Sequence, residues 1–213
     1  MTDIESKKGI YYDFAKLFNR AQSEFYLNVK FVPRKRIDRM LDNNNLDGII
    51  MGVNPIWFGD KDKTKFLWSE FIMEDMDVFV SNSTIPVKVN NFSDLTHKRV
   101  GGIHGFRYFG IDELAQQKRL TRINTQSETQ LLDMVEKKRI DTAIISIFTL
   151  SFLSKGRSEL FYVAEKEHDK FTRHFLIPSK QQTPLLKQLN DALINPGFNK
   201  KWQQVLSQYT IEK

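Results

Sequence analysis

Apolar and polar positions along this chain follow two alternating periods. Tyr11, Phe14, Leu17, Phe18, Ala21 and Phe25 recur at the spacing of one helical face, and Asp13 stands in the first turn, where the helix dipole favours an acid. Tyr26–Val32 then alternates, with Leu27, Val29 and Phe31 set against Asn28 and Lys30, which predicts a strand with one polar side. From Pro33 to Asn54 a helical face through Ile37, Met40 and Leu41 is broken by an Asn run. A buried strand over Gly48–Val53 follows. The same succession returns at Ser127–Ile147, where Leu131, Leu132, Met134 and Val135 form the helical face and Ile140-Asp141 leads into a second apolar strand. Either these two units face a shared ligand beyond the carboxyl ends of their strands, as open α/β sheets do, or the echo is the commonest α/β unit met twice.

Between and after the two units the pattern predicts further elements. Pro55–Lys63 is a charged loop with two large aromatics, Leu67–Ile72 is extended, and Asp77–Ser81 is a strand. Residues 82–91 form a polar connector, and Phe92–Leu95 makes one helical turn. A strand over Arg99–Ile103 ends at His104-Gly105, and a helix is expected over Tyr108–Gln117. Strands at Leu120–Ile123, Thr142–Ser146, Leu160–Val163 and Phe175–Ile177 follow, with a helix near Phe148–Ser154. Ser127 and Gln130 form a capping-box pair at a helix start. Thr183-Pro184 opens a helix carrying Leu185, Leu186, Leu189 and Leu193. Pro196-Gly197 separates it from a last amphipathic helix with Trp202, Val205, Leu206 and Tyr209. Strands alternating with helices give an α/β class with largely parallel pairing.

Composition narrows the chemistry. The 213 residues are 40% hydrophobic, enough for a sizeable core, and no apolar run is long enough to span a membrane. With no cysteine, disulfides and thiolate metal sites are excluded. The net charge of +6 is spread among acids, with only Lys35-Arg36 and Lys137–Arg139 clustered, so a solvated basic surface is expected rather than a nucleic-acid face. The four histidines, His97, His104, His168 and His174, show no metal spacing, and no nucleophile pattern, phosphate loop or dinucleotide fingerprint is present. No catalytic residue, metal or cofactor is expected.

The order of the pieces resembles the bacterial extracellular solute-binding proteins of family 3, the amino-acid-binding type of the second structural class of periplasmic binding proteins. The likeness rests on KKGIYYDFAKLF, LDGIIMGV followed by FLWSEFI, FSDLTHKRVGGIHGFRYF, EKKRIDTAIIS and the last two helices, in that order. It implies a two-lobed α/β fold. Residues 1–80 and 178–213 would form one lobe and 84–172 the other, with crossover strands at Asp77–Ser81 and Arg173–Ile177. It also implies a monomer that captures a small solute in an interlobe cleft, for a membrane transporter or sensor, in the periplasm. An enzyme on the same framework, of the cyclic-acid dehydratase kind, and a partner module that no longer binds solute are the alternatives.

Departures from the family pattern bear on the ligand. The family begins with a strand and an aromatic turn upstream of the position of Gly9, so the start is expected to be truncated, mis-set or different. No signal peptide is visible at Met1–Glu5, so either the protein is cytosolic or this chain begins after a removed or omitted leader. The family's carboxylate-clamping arginine is replaced by the loop Gly59–Lys63, and its second-lobe acid falls at Ser146.

Candidate contacts follow from the residues themselves and from this alignment. The turn Gly105-Phe106-Arg107-Tyr108 offers backbone N–H groups beside a cation, a fit for an anion, or else Arg107 is simply a solvated side chain. Gly52 permits close approach and Asn54 can donate and accept, unless they are a buried glycine and a turn residue. Trp57 or Phe58 stacks on a ring or anchors the loop. The resemblance adds Arg34, with Arg36 expected in a structural ion pair, and Ser146. With Lys61 or Lys63 near the same loop, uncompensated positive charge beside aromatics points to a small polar or anionic solute.

Overall fold

The computed structural model describes residues 2–3, 7–178 and 182–209. The chain divides into two compact units, one of residues 1–75 and 171–213, the other of residues 76–170. The first is discontinuous in sequence and the second continuous.

In the first unit a short ribbon, β1 (Thr2–Asp3) with β2 (Lys8–Gly9), precedes helix α1 (Ile10–Ala21). Helix α1 buries Ile10, Phe14, Ala15 and Phe18. Of the stripe read from the sequence Phe14 and Phe18 are buried, Tyr11 and Leu17 are half-buried, Ala21 is exposed, and the helix stops before Phe25. Phe14 is the hub of that core. Its ring lies 5.0 Å from Trp202, 5.3 Å from Phe175 and 5.7 Å from Phe198, in tilted or edge-on contacts. Full burial of such a ring stabilises the unit by about 1.5–3 kcal/mol. Trp202 and Phe198 belong to α7 (Pro196–Ser207), which follows α6 (Thr183–Ile194), and the Trp202 indole N–H donates to the Ile72 carbonyl at 2.6 Å.

Helix α2 (Arg34–Asp42) leads through the Asn turn into β3 (Ile50–Val53). Ile37 and Leu41 of α2 pack on Ile50, Trp68 and Leu176. β3 pairs antiparallel with the end of β9 (Phe161–Ile177), Ile50 opposite Leu176, and a bulge at Gly52 brings Val53 opposite His174. The other side of the same stretch of β9 takes β4 (Leu67–Trp68).

The second unit is built on strands β7 (Thr121–Thr125), β6 (Arg99–Ile103) and β8 (Thr142–Ser146), all parallel, with β5 (Met73–Asn82) antiparallel to β8. Helices α3 (Ile111–Gln116), α4 (Glu128–Glu136) and α5 (Ile147–Leu153) connect them. Gly101 is needed in β6 because a Cβ there would run into Ile140 and Leu131. Ser127 caps α4 by accepting from the Gln130 N–H at 3.2 Å, and Gln130 in turn accepts from Gln126 N rather than from Ser127 N. β5 and β9 each run from one unit into the other, the division falling after Asp75 and after Lys170.

Four expectations are corrected. Among the described residues parallel pairing joins β6 to β7 and to β8, whereas β3 and β4 pair antiparallel with β9 and β5 pairs antiparallel with β8. The strands expected at Leu160–Val163 and Phe175–Ile177 are the two ends of β9, whose polar middle (Glu165–Lys170) hid its continuity. The helix expected from Tyr108 begins at Ile111, since Tyr108 is drawn into the core and Gly110 adopts a left-handed backbone ahead of it. Tyr26–Val32 forms no strand.

Candidate functional site

In the first unit the candidate residues gather where β3 meets the turn Pro55–Phe58. Asn54 starts this turn. Its Oδ1 accepts from the Ile56 N–H at 3.0 Å and its amide donates to the Thr172 carbonyl at 2.9 Å, so the side chain is buried in structural bonds. Gly52 has φ of +77°, and a Cβ there would strike the Tyr11 ring, so the close approach it permits is that of Tyr11. Its carbonyl accepts from Arg173 Nη1 at 2.6 Å.

Arg173, missed from the sequence, organises this corner. Its guanidinium meets Asp75 at 2.7 Å through both Nε and Nη2, with the two side chains 9% and 0% exposed. Trp57 and Phe171 lie 5.3 Å and 5.0 Å from that guanidinium and contact each other edge-on at 4.9 Å. A cation inside an apolar strand run was the available signal, since a buried charge requires a partner.

Arg34 is pinned as well. It donates to Asp38 at 2.7 Å and to the Trp57 carbonyl at 2.7 Å, and lies over the Phe58 ring at 4.0 Å. The structural ion pair expected of Arg36 is therefore made by Arg34, while Arg36 is exposed. Phe58 contacts Trp68 and joins the core with Ile50 and Leu176, so of the two aromatics it is the anchor.

Below the turn, Asn54, Ile56, Lys61, Lys63, Phe71 and His174 contribute to a hollow of about 330 Å³. Its lysines stand on a loop wound around Asp60, which accepts from the N–H groups of Thr64, Lys65 and Phe66 and from the Trp68 indole at 2.7–3.0 Å. Burial raises the Asp60 pKa, but those four hydrogen bonds outweigh it and hold the carboxyl below its ordinary value. His174 Nδ1 lies 2.8 Å from the Ser69 carbonyl and therefore carries the proton, leaving Nε2 to accept from the Thr172 hydroxyl at 2.8 Å. Burial pushes the His174 pKa down, and Lys63 adds to the shift.

In the second unit Gly105, Phe106, Arg107 and Tyr108 form one turn after β6. Gly105 has φ of +86°. Arg122, also missed, holds the turn from beneath: it donates to Asp112, to the Phe106 carbonyl at 2.8 Å and to the Ile103 carbonyl at 3.3 Å, and lies over the Tyr108 ring. Tyr108 is 4% exposed, and its hydroxyl accepts from the Ile103 N–H at 3.1 Å. As a free contact it is corrected to a core residue, because Gly102 leaves room for its ring. Arg107 is exposed and forms no ion pair among the described residues, and Phe106 is 40% exposed beside it. Ser146 ends β8 and caps α5 by accepting from the Thr149 N–H at 3.4 Å. No group of three or more potential metal ligands occurs among the described residues.

No family model and no curated protein matches this sequence. Solved structures do. An ancestral arginine-binding protein bound to arginine superposes with a TM-score of 0.74 at 14% identity, over 98% of this chain and 91% of that one. The GluR0 ligand-binding core in complex with L-glutamate gives 0.74 at 14% identity, over 96% and 90%. The second substrate-binding domain of Lactococcus lactis GlnP in an open conformation gives 0.63 at 16% identity, over 100% and 90%. The fold is that of the two-lobed solute-binding proteins. At these identities the likeness concerns the fold, and the ligands in those descriptions are those proteins' own.

Proposed function

We propose that this chain captures a small polar or anionic solute in a cleft between its two lobes, as the binding component of a membrane transporter or sensor working in the periplasm. Support comes first from fold: solved proteins with bound arginine or glutamate share it over nearly the whole chain. The observation that carries the character of the ligand is Arg107, an exposed cation without an ion-pair partner among the described residues, in a turn braced by Arg122. The turn's backbone N–H groups and this guanidinium together suit an anionic group. Arg34 and Arg173 are already neutralised or bonded within the fold, so among the candidate cations the exposed Arg107, Lys61 and Lys63 are the ones suited to meet a solute. Closure on the ligand requires contacts made better in the closed state than in the open one.

A thermal-shift panel of amino acids, organic acids and sugars tests the reading, because a ligand at 100 times its Kd stabilises by about 2.7 kcal/mol. Calorimetry on the hit then compares the wild type with Arg107→Ala. A loss of about 1.5–3 kcal/mol is expected, the range for a hydrogen bond to a charged group. Unchanged affinity would remove Arg107 as the anchor, and the absence of any hit would count against solute capture.

A further inference from the structure

Among the described residues the second unit holds a buried polar atom without a hydrogen-bond partner, Nδ1 of His168 in the polar middle of β9. Three rings wall the imidazole. It stacks on Phe92 at 5.8 Å and meets Phe79 and Tyr108 edge-on at 5.7 Å and 5.8 Å. Its other nitrogen, Nε2, lies 2.9 Å from the Phe109 carbonyl. A carbonyl only accepts, so Nε2 carries the proton and Nδ1 keeps a bare lone pair. The neutral ring tolerates that arrangement. A second proton would create a buried, charged N–H on Nδ1 with no acceptor.

Phe109 belongs to the turn that carries Arg107. Its side chain is 79% exposed, while its carbonyl is bonded to His168. Phe92, stacked on the imidazole, also fills the space that a Cβ at Gly110 would take. Two side chains from other elements thus reach carbonyls of this stretch: Arg122 at Ile103 and Phe106, and His168 at Phe109. The guanidinium keeps its proton at any working pH, whereas an imidazole does not. Neighbouring charges leave the neutral form favoured. Burial holds the His168 pKa below its ordinary value, although Asp169 beside it and Asp112 of α3, itself paired with Arg122, pull the other way. Lys166 lies 5.9 Å from the Phe92 ring and Arg122 5.0 Å from the Tyr108 ring, and neither cation favours a third. Glu167 is bridged to Lys170, and Asp94 accepts from the Asn90 and Asn91 N–H groups. Asp77 stands two positions before Phe79 on β5.

We propose that His168 is a proton-released latch on the turn Gly105–Gly110. Neutral, it holds the Phe109 carbonyl and with it the placement of Arg107; protonated, it lets the turn go. It is a positioning residue. Its consequence, weaker solute capture in acid, rests on the reading of this turn given under the proposed function. In the released turn the imidazole meets water and titrates near its ordinary pKa of about 6.5. From there down to the lower pKa of the held state, each pH unit of acidification raises the released fraction by up to about tenfold.

Hydrogen exchange of the full, solute-free chain between pH 7.5 and 5 tests the latch, with rates corrected for the intrinsic pH dependence of exchange. The Ile111 and Asp112 amides, bonded to the Tyr108 carbonyl, report the turn, and the Leu131 amide of α4, bonded to the Ser127 carbonyl, is the reference. In the wild type the two turn amides are expected to open up to about tenfold more per pH unit below about 6.5, while Leu131 does not follow. His168→Gln can donate to Phe109 without titrating, so the turn should stay closed and its pH dependence vanish. His168→Phe should open the turn already at neutral pH, and by the same amount throughout the range. Wild-type turn amides that open no more at pH 5 than at pH 7.5, or only in step with Leu131, would overturn the proposal whatever the variants do. So would a pH dependence that survives in His168→Gln. A turn as closed in His168→Phe as in the wild type would reduce the ring to packing and overturn it too. Solute affinity is a separate arm: for a hit from the thermal-shift panel, acid should weaken binding more in the wild type than in His168→Gln. A panel without a hit counts against solute capture alone, since exchange decides the latch.

Discussion

The turn after β3 in the first unit and the turn after β6 in the second each follow a strand of their unit, yet they use their cations in opposite ways. At the first, Arg34 and Arg173 are consumed by the fold: one clips Asp38 and the Trp57 carbonyl, the other is buried against Asp75 and the Gly52 carbonyl. At the second, Arg122 does the bracing from below and Arg107 is left outside. An arginine near a strand end thus has no fixed meaning. What separates a supporting guanidinium from an available one is whether a second cation nearby has already answered the turn's carbonyls and carboxylates.

The sharpest way to break this contrast is to remove the buried pair. Arg173→Ala leaves Asp75 buried without its counter-charge and is expected to cost about 3–5 kcal/mol in denaturant unfolding. The double variant Asp75→Leu with Arg173→Met should recover most of that loss. If the single variant alone were harmless, the claim that Arg173 is structural would fail.

A second test uses one imidazole from each unit. Burial is the main cause that holds both His168 and His174 below the ordinary histidine pKa. The unfolded chain therefore binds more protons than the folded one once pH drops below about 6.5, and stability falls with acidification from there down to the folded pKa values. The slope is at most about 1.4 kcal/mol per pH unit for each group. His168 packs among Phe79, Phe92 and Tyr108, so His168→Phe should flatten its share of the slope, read from urea midpoints between pH 7.5 and 5. An unchanged slope would show that His168 does not contribute.

Smaller still is Asn54→Ala, which removes the cap of the Pro55–Phe58 turn and the bond to Thr172. A loss of about 1 kcal/mol is expected, typical of a lost cap, with the turn's aromatics reporting it by near-ultraviolet circular dichroism. Least of all is Arg107→Ala, expected to change stability by no more than about 0.5 kcal/mol because nothing in the fold leans on it. A larger destabilisation there would erase the difference between the two turns.

The sequence carried the elements well where the hydrophobic period was long and uninterrupted. The α4 stripe with its Ser127 cap and the apolar β8 appear as read, and the α1 helix appears with Phe14 and Phe18 of its stripe buried. Legibility failed where a residue's partner lay far along the chain. Arg173 and Asp75 are 98 positions apart and Asn54 and Thr172 are 118 apart, so neither bond leaves a local trace. The same holds for β9, whose polar middle reads as a loop although the strand continues through it. At the candidate site the sequence reading placed candidate residues on the turns that follow β3 and β6. It misjudged Tyr108, Arg34 and Asn54, since exposure depends on the neighbour: a glycine opposite for Tyr108, a carboxylate one helical turn away for Arg34, a strand carbonyl for Asn54.

The uneven way the chain is divided also sets an order of assembly. Residues 76–170 form a continuous unit, whereas the other needs Phe14 near one end of the chain to meet Phe198 and Trp202 near the other. During synthesis, which proceeds from the amino terminus, the continuous unit has its entire sequence available while the aromatic hub of the first still lacks two of its rings. The first unit's opening helix must therefore wait, with Phe14 and Phe18 unshielded, until α7 emerges. During that interval the apolar rings of α1 lack the two that α7 supplies, the kind of transient exposure that favours aggregation.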